Sequence, residues 1–106
     1  MNILKWLENW HRSNCSNSAW ENIYGIKIFT IDNPGWGVEI ELSETPLEGK
    51  TFTAIVINNN ESDWLDCHVN NDVFVGAGDT NKLEIILNIF KTWTIEHLTD
   101  GSLFNG

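Results

Sequence analysis

The stretch Trp36-Gly37-Val38-Glu39-Ile40-Glu41-Leu42-Ser43 decides the fold class. Trp36, Val38, Ile40 and Leu42 share one parity; Gly37, Glu39, Glu41 and Ser43 share the other. Successive side chains of a strand point to opposite faces, so this segment reads as a strand with one buried and one wet face. Such a strand suits an antiparallel sheet, because parallel sheets are covered on both sides and read as continuous apolar runs.

Working outward, residues 25–32 form a second strand, in which Ile26, Ile28 and Thr30 alternate with Lys27, Phe29 and Ile31. Asn33-Pro34-Gly35 joins the two as a turn, with Pro presetting one φ and Gly expected to supply a positive φ at the next position. Residues 44–50 make a loop around Pro46 and Gly49. Strands are then expected at 51–58 and 63–69, separated by the Asn58-Asn59-Asn60 turn. A short fifth strand is expected at 73–75, after Asn70-Asn71-Asp72 and before Gly76-Ala77-Gly78, which should break it. Short turns between successive strands predict an antiparallel meander.

Helical periodicity brackets this region. Ile3, Leu4, Leu7 and Trp10, with Trp6, predict an amphipathic helix over residues 3–12, ended by the polar stretch 13–18. Trp20 and Tyr24 lead back into apolar sequence. Asp79 or Thr80 is the N-cap candidate for a longer helix reaching about residue 98. Its stripe is Leu83, Ile86, Leu87, Phe90, Trp93 and Thr94, widened by Ile85 and Ile89, so the helix is expected to be largely covered. Leu103-Phe104 is expected to tuck back onto the body. The expected fold is a single α+β domain over residues 1–106: an antiparallel sheet of four to five strands with an N-terminal and a C-terminal helix packed on it.

Charge narrows the function. The chain has 106 residues and a net charge of −9, from 6 Lys+Arg against 15 Asp+Glu. That balance argues against nucleic-acid binding and against an anionic membrane surface, both of which require basic groups. No apolar run is long enough for a transmembrane helix. The N-terminal residues do not read as a signal peptide, and two cysteines make no disulfide framework, so a cytoplasmic location is expected. Residues 1–27 carry +1 and residues 82–106 carry −1. Residues 28–81 hold ten acids against Lys50, so the strands carry the whole excess. Two readings stand side by side: the acids keep a small protein soluble, or they form a docking surface for a basic partner, drawn from Asp32, Glu39, Glu41, Glu44, Glu48 and Asp66. Trp36 and Trp64 stand at strand starts, where a large ring can be core or can anchor a partner.

Catalytic and metal patterns are weak. Asp66-Cys67-His68 has the residue types of a thiol site, but alternation places Cys67 opposite its neighbours. Cys15, Cys67, His11 and His68 lack the close paired spacings of zinc motifs. Gly76-Ala77-Gly78-Asp79 lacks the phosphate-loop patterns, and Asp79 would repel a phosphate. Glu39 and Glu41 share one strand face, as paired carboxylates would, without a cleft to serve. No catalytic residue, metal site or cofactor is expected.

Five segments carry a resemblance. They are Trp6-x-x-x-Trp10, Tyr24-Gly-Ile-x-Ile28, Thr30-x-Asp-Asn-Pro-Gly-Trp36, Phe74-x-Gly-x-Gly-Asp79 and Asn81-x-Leu-x-x-Ile-Leu-x-x-Phe90-x-x-Trp93. Together they resemble the immunity protein 53 family over residues 4–95. The family pattern favours Pro after Gly-Asp, where this chain has Thr80; either residue suits a first helical turn. The resemblance implies a small cytoplasmic antidote of bacterial polymorphic-toxin and contact-dependent inhibition systems. It implies a cognate toxin C-terminal domain as partner, a basic one given the charge, and neither catalysis nor a cofactor. Many such toxins are nucleases. The competing expectations are a small-molecule-binding or regulatory module with a Trp-lined pocket, and a small hydrolase using the carboxylates. Oligomeric state is not legible.

Overall fold

The structure, a computed structural model, describes residues 2–14 and 25–99, with side chains to residue 97. Cys15, Trp20, Tyr24 and the Leu103-Phe104 pair lie outside those residues. The elements run α1 (Ile3–Asn14), β1 (Ile26–Ile31), β2 (Gly35–Glu41), β3 (Ile55–Asn60), β4 (Asp63–Asn70), β5 (Val73–Gly78) and α2 (Leu83–Thr99). The architecture is the expected α+β one: two terminal helices on a five-stranded, wholly antiparallel sheet.

Strand order is β1-β2-β5-β4-β3, which corrects the expected meander. Two hairpin runs are present, but β2 pairs with β5 rather than with β3. The chain leaves β2, crosses one end of the sheet through residues 42–54 and enters at the far edge. This crossing is held by burial: Leu42 and Leu47 are fully buried and Phe52 packs on the core. Trp93 donates its indole N–H to the Thr51 carbonyl at 2.8 Å, anchoring the segment to α2. Hence 51–54 stays outside the ladder, and β3 begins at Ile55 instead of Thr51.

The turns follow local chemistry. Asn71 and Asp72 both have positive φ, 53° and 60°, as a two-residue hairpin loop that matches strand twist requires. The Asn33–Pro34 peptide is cis. Gly35 does not use positive φ. It is needed for space, because a Cβ there would collide with the Gly78 carbonyl.

All core residues lie on one face. Ile26, Ile40, Phe74 and Val69 align across β1, β2, β5 and β4, followed by Val38, Gly76 and Cys67 in the next row. Helix α2 lies over β5 and β2, with Ile86, Leu87, Phe90 and Trp93 turned inward. Phe90 is the aromatic hub: its ring meets Trp10 and Phe74 at 5.1 Å and Trp6 at 6.0 Å. Asn2 caps α1 by accepting the Lys5 N–H at 2.8 Å. Two faces of α2 escape cover, since Ile85 is 45% and Ile95 41% exposed, against the expectation of a largely covered helix.

The Gly76-Ala77-Gly78 run continues β5 rather than breaking it. Gly76 and Gly78 point toward α2, and the helix approaches so closely that no side chain fits between. A Cβ on Gly76 would collide with Ile86 Cγ2, and one on Gly78 would stand 2.6 Å from Lys82 Cβ. We expect Gly76→Ala to cost about 1–3 kcal/mol of stability in denaturant melts through overpacking. Ile86→Ala added to it should cost less than the sum of the two single changes. Full additivity would mean that the two positions do not compete for the same space.

Candidate functional site

The helices cover one face of the sheet; no described helix covers the other. Register assigns its side chains. Lys27 and Phe29 come from β1, Glu39 and Glu41 from β2, and Val73, Val75 and Ala77 from β5. Trp64, Asp66 and His68 come from β4 and Val56 from β3. The middle is apolar: the Phe29 ring lies against Gly37, its direct cross-strand partner, where any Cβ would strike the ring. Phe29 is 39% and Val56 63% exposed, while Trp64, Val75 and Ala77 are half-buried. Three carboxylates, Glu39, Glu41 and Asp66, share this face with one ammonium, Lys27. Asp66 Oδ1 lies 3.0 Å from His68 Nδ1, and Glu41 accepts the Ser43 hydroxyl at 2.8 Å.

The expected site residues divide among three places. Glu39, Glu41, Trp64 and Asp66 share the open face. Glu44 and Glu48 stand in the crossing segment, beyond the end of β2, with Glu48 accepting the Glu44 N–H at 2.7 Å. Asp32 is exposed in the β1–β2 turn at the opposite end. Trp36 faces the helix side, where it is half-buried and donates its indole N–H to the Thr80 carbonyl at 3.2 Å. Phe29, Val56, Val75 and Ala77 were not singled out by sequence. Phe29 sits in a strand whose two parities are both apolar, so alternation could not say which side would stay bare.

The acid excess is not all available to a partner. Lys82 Nζ lies 2.5 Å from Asp79 Oδ2 and 2.9 Å from Asp63 Oδ1. Asp79 is 2% exposed; it also accepts the Trp64 and Asn81 backbone N–H groups at 2.9 and 2.8 Å. It therefore ties the loop before α2 to β4, and the helix starts at Leu83 rather than on Asp79 itself. The Lys82 hydrogen bond, joined by those two N–H groups, holds the Asp79 carboxyl down at about 2 despite opposing desolvation. Asp63 is also lowered, chiefly by Asn59 and then Lys82, and Lys82 is raised by Asp79 and Asp63. Two of the ten strand-region acids are thus spent on an internal cation.

Cys67 is fully buried on the helix side, opposite Asp66 and His68, as alternation predicts. Burial pushes its thiol up to about 12, with Asp66 adding to the shift, so no thiolate forms near neutrality. Among the described residues, no group of three or more His, Cys, Asp or Glu side chains is placed to hold a metal. A groove of about 570 Å³ runs between the 51–55 segment and α2; among the described tryptophans, Trp93 alone lines it. No described helix is long and apolar enough to cross a membrane.

The family model of Immunity protein 53 matches residues 4–95. No curated protein and no solved structure matches the chain. The chain belongs to the immunity protein 53 family, whose members act as non-catalytic antidotes to a cognate toxin in polymorphic toxin systems.

Two predictions follow from this geometry. The Asp79 carboxyl titrates near 3.8 when unfolded and at about 2 when folded. Its stabilisation is therefore complete above about pH 4 and is lost as pH falls toward 2. Asp79→Asn should be less stable at neutral pH and should lose stability less steeply over that range, as read by denaturant melts at stepped pH. In a Cys15→Ser background, Cys67 should resist a thiol reagent in buffer and react at once in denaturant. Prompt labelling of the folded protein would contradict its burial.

Proposed function

We propose that the open face of the sheet is the surface that holds the toxin, and that the toxin meets it with a basic surface. One observation carries this reading. The face left bare by the helices combines an apolar centre, built on Phe29 over Gly37, with carboxylates at Glu39, Glu41 and Asp66. An apolar patch supplies affinity, and the charges around it supply orientation and speed of encounter. Glu44 and Glu48 extend the negative field beyond the end of β2, and Asp32 extends it at the other end. A nuclease cleft, basic because it binds phosphates, is the toxin surface such a face fits best. The antidote would act in the cytoplasm by covering that cleft. Trp64, half-buried at the edge of the apolar centre, supports the same surface.

The test separates charge from contact. Glu39→Gln with Asp66→Asn should slow association with the toxin domain and flatten its salt dependence, leaving dissociation nearly unchanged. Phe29→Ala should instead speed dissociation and weaken binding by about 2 kcal/mol. Its folding stability should move less, because the ring is already part exposed. If both sets bind like the parent protein, the toxin uses another face.

A further inference from the structure

Lys27 is the one Lys or Arg in the sheet. Of the 6 such residues, Lys5, Arg12 and Lys91 belong to the helices and Lys50 to the crossing segment. Lys82 is in the loop before α2, held by Asp79 and Asp63. Lys27 instead stands exposed on the open face, in the outer strand β1. Register puts it directly opposite Glu39, yet it makes no ion pair with any described residue. It also precedes Phe29 by two positions, so the two side chains share the face one step apart, roughly 7 Å along the strand. A lysine on an outer strand commonly guards a sheet edge. That rule does not single out β1, because β3, the other outer strand, contains no charged residue.

We propose that Lys27 selects the toxin: the basic surface that covers Phe29 carries a carboxylate placed to meet this ammonium. The inference rests on the reading of the open face as the toxin surface and adds the chemistry of one contact. Anything that covers Phe29 also strips water from Lys27, since the two are neighbours. Among cations the ammonium would lose hydration and gain repulsion; against a carboxylate it gains a charge-assisted hydrogen bond. Glu39, opposite, attracts the cations around that carboxylate. The acids of the face draw in every basic surface alike. One cation beside the apolar anchor rejects those that are uniformly basic and admits the one with an acid at the matching point, so that repulsion supplies specificity.

Dissociation of an inactive form of the cognate toxin domain tests this, with a decalysine peptide as the uniformly basic probe. Lys27→Gln should speed dissociation of the toxin about fivefold and should bind decalysine more tightly than the parent does. Lys27→Arg, which keeps the charge, should hold the toxin like the parent. Lys27→Glu should hold it poorly, and one Asp→Lys or Glu→Lys variant of the toxin should restore binding. Lys27 is exposed, so these changes should leave the circular dichroism spectrum as it is. If Lys27→Gln binds the toxin as tightly as the parent while Phe29→Ala weakens it, the inference falls and the open face remains the toxin surface. Silence at both positions would overturn the inference and the reading beneath it. Weaker binding that no toxin variant rescues would remove the carboxylate, and with it the inference. Self-association of Lys27→Gln with unchanged toxin binding would make the lysine an edge guard and would overturn it as well.

Discussion

The Asp79 carboxylate ties β4 to the turn before α2 and to Lys82. It receives the Trp64 N–H from β4, the Asn81 N–H from its own turn and the ammonium of Lys82, which reaches on to Asp63. A buried carboxylate is stable only when its acceptor positions are filled, and here they are. The consequence is geometric. With the turn after β5 fixed to β4, α2 must run back over β5, at a distance that Gly76 and Gly78 permit and larger residues would not. Its apolar stripe then seals one face of the sheet through Phe90 and its aromatic neighbours. The helices are committed to that side, and no described helix covers the other face.

Charge is distributed to match. Buried Lys82 consumes two of the ten acids between residues 28 and 81, and the other eight lie on the open face or in the turns and the crossing segment at the two ends of the sheet. A protein of net −9 carries a self-repulsion that works against its own folding. On the proposed reading, a basic toxin would relieve that repulsion on binding. Strand β3 carries no charged residue and lies at the opposite edge of the sheet from β1, with Val56 on the same open face as Phe29.

Local periodicity made much of this legible. The alternation at 36–43 correctly separated Val38 and Ile40 from Glu39 and Glu41, the Asn71-Asp72 turn stands where the pattern put it, and both helices are present, the second starting at Leu83, later than the Asp79 or Thr80 cap implied. Pairing order did not follow, because a strand's periodicity says which way side chains point and nothing about which strand lies beside it. Gly76-Ala77-Gly78 looked like a breaker for a related reason: its small residues answer a helix that arrives later in the chain. For the site, Glu39, Glu41 and Asp66 could be grouped by parity. Phe29 could not, since both faces of β1 are apolar, and Trp36 landed on the helix side with its indole N–H on Thr80.

The central claim is that the helix-free face of the sheet holds the toxin. Side-chain NMR of the protein, with its cognate toxin domain added in an inactive form, addresses it most directly. Signals from Phe29, Val56, Val75 and Ala77 should shift strongly, while the exposed Leu4 and Ile95 on the helical side stay where they were. Shifts concentrated at Leu4 and Ile95, with Phe29 and Val75 unmoved, would contradict the account.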